Sequence, residues 1–162
     1  MNGFDEIARA ARGQASRFYD IEPTPYVRQT QADKWKKRPE VLRYRAFRDE
    51  VAWMKLELPE DFFHVVFLIE TPRSWSAKKR LEHIGQPHLC KPDKDNLEKG
   101  LIDAVYRNRD DAHIWNGAST KIWAGLSGIV VSDTWIPFWE LPVDLPALVR
   151  GTLHTVDSDP DV

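Results

Sequence analysis

The stretch from Lys91 to Val105, KPDKDNLEKGLIDAV, begins with alternating acids and bases and ends as an amphipathic run. Leu97, Leu101, Ala104 and Val105 recur at helical spacing, which predicts a helix packed by that stripe against a core. Asp95, Lys99 and Asp103 fall one turn apart on the opposite side. With Asp95 as N-cap, Glu98 takes the N3 place of a capping box. Cap, box and charge ladder would contribute roughly 1–2 kcal/mol together, so a well-started helix accounts for these residues without any chemistry. Asp93 is left over. If the chain is extended ahead of the helix, Asp93 and Asp95 point to one side. Carboxylates about 4 Å apart repel by roughly 4 kcal/mol at an effective dielectric of about 20. A divalent cation removes that cost, and such carboxylates suit Mg²⁺ better than a softer metal. Asp110-Asp111 follows the helix. Alone it reads as a common turn; behind D-x-D-N-x-x-K it offers a third carboxylate. Neither an EF-hand, which wants glycine where Glu98 stands, nor an aspartyl-phosphate motif, which follows an apolar strand, fits.

Outward from this stretch the chain reads as alternating elements. PEVLRYRAFRDEVAWMKLEL predicts a helix with Val41, Leu42, Phe47, Val51, Met54 and Leu58 on its apolar face, started by Pro39 and closed by Pro59. FFHVVFLIET predicts a buried strand. YDIEPTPYVRQT, with its prolines, predicts an edge strand or an extended arm. Between strand and quoted helix lies a basic excursion, residues 72–92, in which SAKKRLE predicts a short helix. TKIWAGL and GIVVSDTWI predict strands. The order gives an α/β (α+β) fold, a small mixed β-sheet packed against two main helices. Residues 1–18 read as an extension with a short helix, 19–150 as one domain, and 151–162 as an acidic, disordered tail.

The net charge of −2 conceals an asymmetry: Arg28 to Arg48 holds eight Lys/Arg against Asp33 and Glu40, whereas the chain from Asp133 onward holds six acids against Arg150. This suits either a polyanion-binding surface or ordinary solvated charge. Trp35 among Arg28, Lys34, Lys36, Lys37 and Arg38 suits backbone tracking with base stacking. Arg73, Trp75, Lys78, Lys79 and Arg80 form a second basic cluster, and Lys91 and Lys94 flank Asp93. No apolar run approaches a membrane span, and no signal-peptide core is seen. Cys90 is the single cysteine, which excludes an intrachain disulfide and is expected to serve packing. The five histidines lack zinc spacing; His113, two after Asp111, is a strand histidine or a phosphate contact. Trp53, Trp115 and Trp123 are expected in the core or a subunit interface. An intracellular protein is expected.

KPDKDNLEKGLIDAV followed by DDAHI resembles the RusA family of Holliday junction resolvases of bacteria, phages and prophages. The residues that carry the resemblance are Asp93, Asp95, Asn96, Leu97, Lys99, Asp103, Ala104, Asp110, Asp111 and Ile114, with RSWSAKKR and GQPHLCKPD ahead of them. It implies a homodimeric, Mg²⁺-dependent (or Mn²⁺-dependent) cytoplasmic endonuclease that nicks four-way DNA junctions symmetrically. It also implies Asp93, Asp95 and Asp111 as catalytic, metal-binding carboxylates and Lys99 as the essential lysine. Arg28, Lys36, Lys37, Arg73, Lys78, Lys79, Arg80, Lys91 and Lys94 become the expected DNA contacts. The turn YRNR, residues 106–109, is shorter than the family pattern. It leaves a non-cleaving branched-DNA binder, or a nuclease for other branched or flapped DNA, as alternatives.

Overall fold

The computed structural model describes residues 16–140; the helix expected near the N-terminus and the acidic tail lie outside the described residues. The elements are β1 (Arg17–Tyr19), α1 (Asp33–Lys36), α2 (Pro39–Trp53), β2 (Phe63–Glu70), α3 (Ala77–His83), α4 (Lys94–Val105), β3 (Gly117–Ala124) and β4 (Gly128–Ser132), then a 3₁₀ turn, Phe138–Glu140. One mixed sheet has the order β1-β4-β2-β3. β4 runs antiparallel to β1 and β2, while β3 runs parallel to β2. A parallel pair needs a long crossover, and α3 and α4 lie in this one. The expected mixed sheet with two main helices is what the chain forms.

The side chains of β2 alternate between two apolar layers. Phe63, Val65 and Phe67 meet Tyr44, Phe47 and Val51 of α2 and Leu97, Leu101 and Ala104 of α4. Val66 and Leu68 join Ile122, Val130 and Ile136 on the other side. Both faces are covered, so the strand reads as an unbroken apolar run rather than an alternating one. Tyr44 bolts α2 to α4: its hydroxyl donates to Asp103 Oδ2 at 2.6 Å and lies 3.3 Å from Gly100 O. Burial, then the Asp103 bond, pushes its pKa well above the usual tyrosine range.

Several local expectations are corrected. Leu42 is exposed, and Tyr44 takes its place in the helix–sheet layer. α2 stops at Trp53 instead of reaching Pro59, because Lys55 adopts a left-handed φ of 51° and turns the chain away. The strand expected from Thr120 already starts at Gly117, paired with Phe63. Of the tryptophans expected in the core or a subunit interface, Trp123 is buried, while Trp53 and Trp115 are exposed, which rules out the core for these two and leaves the interface. Cys90 is exposed too, since its loop runs along the sheet edge rather than into a layer.

His64, the second residue of β2, is a fully buried polar side chain. Its Nδ1 accepts the Ile136 N–H at 2.8 Å, so the ring donates from Nε2 to Thr120 Oγ1 at 3.0 Å and is neutral. Trp135 stacks on it with centroids 4.1 Å apart. Desolvation pushes its pKa down to about 4. The unfolded chain therefore takes up a proton near pH 6.5 that the folded chain refuses until pH approaches 4. Stability present above pH ~6.5 is lost across that window, by about 2–3 kcal/mol from this group. Urea unfolding at pH 7.5 and pH 4.5 measures it: the wild type is expected to lose more stability than His64→Gln between the two. Equal losses would refute this assignment.

Candidate functional site

The segment from Asp20 to Ala32 is the extended arm anticipated from its prolines, and it crosses α4 near the helix start. Tyr26 N–H donates to Asn96 O at 3.0 Å. The crossing is close because residue 100 is glycine: a Cβ there would stand 2.8 Å from both Thr24 O and Tyr26 N. Beyond the crossing the arm folds into a clip. Asp33, 1% exposed, accepts from Thr30 N–H at 2.6 Å and from Arg38 Nε and Nη2 at 2.6 and 2.8 Å. The Arg38 guanidinium and the Thr30 amide hold the Asp33 carboxyl far below the usual range. The clip leaves Trp35 85% exposed with Lys34, Lys36 and Lys37 around it.

Helix α4 starts earlier than the capping-box reading predicts. Asp93 is the N-cap, with φ −69° and ψ 145°, and its carbonyl accepts the Leu97 N–H at 3.1 Å. Asp95 thus lies in the first turn, and Glu98 lies beyond the place from which a box closes. An N-cap aspartate ordinarily spends its carboxylate on the helix's free N–H groups. Asp93 makes no such bond; its carboxylate pairs with exposed Lys91 instead. The expected Asp95–Lys99–Asp103 ladder does not form. Asp103 is claimed by Tyr44 and by Arg48 at 3.6 Å. Lys99 Nζ sits 4.6 Å from the Tyr26 ring centroid, a cation–π contact that aims the ammonium along the arm.

Strand β3, the edge of the sheet beside α4, holds the start of that helix. Ser119 Oγ donates to Glu98, and Lys94 Nζ reaches Ser119 Oγ at 3.0 Å and Glu98 at 3.4 Å. Lys121, two residues on and on the same face, donates to Cys90 O and, at 2.6 Å, to Pro92 O. The Lys91–Pro92 peptide between these acceptors is cis. Sequence reasoning missed Tyr26, Ser119 and Lys121. The only signal was a lysine inside the apolar run TKIWAG.

Asp93 and Asp95 lie two residues apart at the start of α4, both exposed, and because Asp95 is already inside the first helical turn the extended geometry expected to set them side by side is not formed. Asp111 lies past the helix end in an exposed turn, where Asp110 Oδ1 accepts the Ala112 N–H at 2.9 Å. His113 is exposed, its Nδ1 3.0 Å from Asp110 O and its ring edge-on to Tyr106, and it is not in a strand. Among the described residues, no three His, Cys, Asp or Glu side chains converge as a metal-ligand set. The fit to a divalent cation therefore rests on Asp93 and Asp95. Their hard oxygen donors suit Mg²⁺ or Mn²⁺, and the Asp93 carboxylate is not committed to capping.

The expected DNA contacts divide by what they already touch. Arg28, Lys36, Lys37 and Lys78 are exposed, with no side-chain partner among the described residues. Lys79 stacks 4.1 Å over Trp75, and Arg73 approaches Glu70 at 3.9 Å. Arg80 is half-buried and donates to Thr71 Oγ1 at 3.0 Å, a bond that fixes α3 to the end of β2. Trp75, His83, His88 and Trp123 pack together and seat this basic excursion on β3. A groove of about 700 Å³ lies between the arm, α2 and the end of β2. Its walls mix Arg43 and Arg73 with Glu22, Glu40 and Glu50, so it does not read as a phosphate channel.

Compared with known proteins, residues 20–132 match the family model described as Endodeoxyribonuclease RusA, a span covering more than half of the chain. It contains the arm, both main helices and every strand from β2 onward. No curated protein matches the chain.

Proposed function

Because the chain belongs to the RusA endodeoxyribonuclease family, we propose that it resolves four-way DNA junctions by Mg²⁺-dependent, paired symmetric nicking as a homodimer. The observation that carries this reading is the state of Asp93, an N-cap carboxylate not used for capping, two residues before exposed Asp95 and six before Lys99 on one rigid helix. Asp93 and Asp95 would hold the ion; Asp111, past the helix end, does not converge with them into a three-carboxylate set among the described residues. The ion supplies Lewis acidity for phosphodiester hydrolysis. Lys99 offers positive charge to the scissile phosphate or the leaving oxygen, and Tyr26 orients it from the arm. The helix N-terminus adds its partial positive charge on the same side. Arg28, Lys36, Lys37 and Lys78 neutralise flanking phosphates, and Trp35 stacks on an unpaired base at the branch point. Lys91 and Lys94, paired now with Asp93 and Glu98, reach phosphates close to the scissile one.

The test is purified protein on a synthetic four-way junction, with Mg²⁺ or with EDTA, beside linear and flap duplexes. Paired nicks at symmetric positions, present only with the metal, are expected. Tight junction binding without metal-dependent cutting would make the chain a branched-DNA binder instead. Faster cutting of flaps than of junctions would assign a different branched substrate.

A further inference from the structure

We propose that Lys121 is a positioning residue for the catalytic centre, fixing the Asp93 carboxylate by holding the backbone on its N-terminal side. This rests on the reading of Asp93 as a metal ligand. Asp93 is an N-cap whose side chain makes no bond to the helix it starts and pairs instead with Lys91, an exposed residue of the same loop. Something else must hold it. The loop before it runs antiparallel along the edge of β3, with Trp123 N–H donating to Gln86 O at 2.9 Å and His88 N–H to Lys121 O at 3.1 Å. That backbone pairing ends at His88. From there to Asp93 the side chain that ties the loop to β3 is Lys121, which donates to Cys90 O and Pro92 O. The second acceptor is the carbonyl joined directly to the Asp93 nitrogen. Ser119 and Lys94 clamp the far side of the same helical turn through Glu98.

A half-buried ammonium on a sheet face is costly unless its donors are satisfied, and here two backbone carbonyls satisfy it. A capping carboxylate would locate Asp93 as well, but would consume the group that binds the ion. With Lys121 in that role the carboxylate stays available and the backbone behind it stays rigid. A group displaced by about 1 Å at a reacting centre costs on the order of 10²-fold in rate.

Lys121→Met tests this against wild type with three readouts. Single-turnover junction cleavage at saturating Mg²⁺ is expected to fall about 10–100-fold. Junction affinity in EDTA is expected to stay unchanged, since Lys121 faces the loop and not the DNA. Amide hydrogen exchange is expected to quicken at residues 93–97 while β2 and β4 keep their protection. Lys121→Arg, which can also bridge two carbonyls, is expected to recover most of the rate. Wild-type cleavage by Lys121→Met, loss of junction affinity in step with cleavage, or loss of protection across the whole sheet would each overturn the proposal. Should the methionine variant not fold, Lys121→Gln, which keeps a donor for one carbonyl, carries the same comparison. If the wild type itself does not cut, the nuclease reading fails on its own. Exchange at residues 93–97 and Mg²⁺ affinity by calorimetry then decide the role of Lys121.

Discussion

Asp95→Asn will bind a four-way junction as tightly as the wild type, or more tightly, and will cut it at least about 10²–10³-fold more slowly. The two effects separate because the substitution removes one negative charge and little else. Asp95 is exposed in the first turn of α4, with no hydrogen-bond or ion-pair partner among the described residues, so the fold loses only the interaction of a first-turn acid with the helix dipole, about 0.3–1 kcal/mol. A carboxylate beside a DNA phosphate repels it, and its neutralisation favours binding. An amide is a poor ligand for a hard divalent ion by comparison with a carboxylate, and several kcal/mol of transition-state stabilisation go with the ion. Gel-shift titration in EDTA and single-turnover cleavage in Mg²⁺ measure the two quantities. Cleavage within a few-fold of wild type would remove Asp95 from the site.

The second large effect comes from a residue that does no chemistry. Gly100→Ala is expected to lower stability by about 1–2 kcal/mol, and the melting temperature by on the order of 5 °C. In an unobstructed helix the same change would stabilise by roughly 1 kcal/mol, so the sign itself is diagnostic. Here the new Cβ would stand 2.8 Å from Thr24 O and Tyr26 N, both backbone atoms of the arm. Backbone cannot rotate out of the way as a flexible side chain can. The arm must lift, and with it the Tyr26 N–H bond to Asn96 O and the ring beneath Lys99. Cleavage is therefore expected to fall further than the stability loss explains. A more stable Gly100→Ala protein would show that the arm does not bear on the helix.

How far the sequence alone reached depended on whether the signal was periodic. β2 and α4 were legible because burial imposes a repeat: Leu97, Leu101 and Ala104 had to share a face wherever the rest of the chain went. The family motif was legible because D-x-D-N-L-x-K lies on contiguous residues. The helix start was misplaced by two residues because either aspartate makes an acceptable cap, and local preference does not choose between them. The arm across α4 decides, together with Ser119 and Lys121 on β3, and all of these arrive from elsewhere in the chain.

Composition pointed in the wrong direction on one count. A net charge of −2 argues against a DNA-binding protein. The charge is unevenly spread, however: Asp33 and Arg38 neutralise each other, and the clip they close presents Lys34, Lys36, Lys37 and Trp35 to solvent. Arg80 shows the reverse: a base counted for DNA in the sequence is half occupied by Thr71 in the fold.

By itself, then, the amino-acid order determined the mixed sheet and its two main helices, the acidic motif on the second of them, and the family. Each of these is written in neighbouring residues or in a short repeat. Only the tertiary structure decided that Asp93 is an N-cap whose carboxylate is not used for capping, that Tyr26 lies against Lys99, and that a lysine from the edge strand holds the loop ahead of Asp93. Those are contacts between residues about 30 to 75 positions apart, and no local preference encodes which of them will meet.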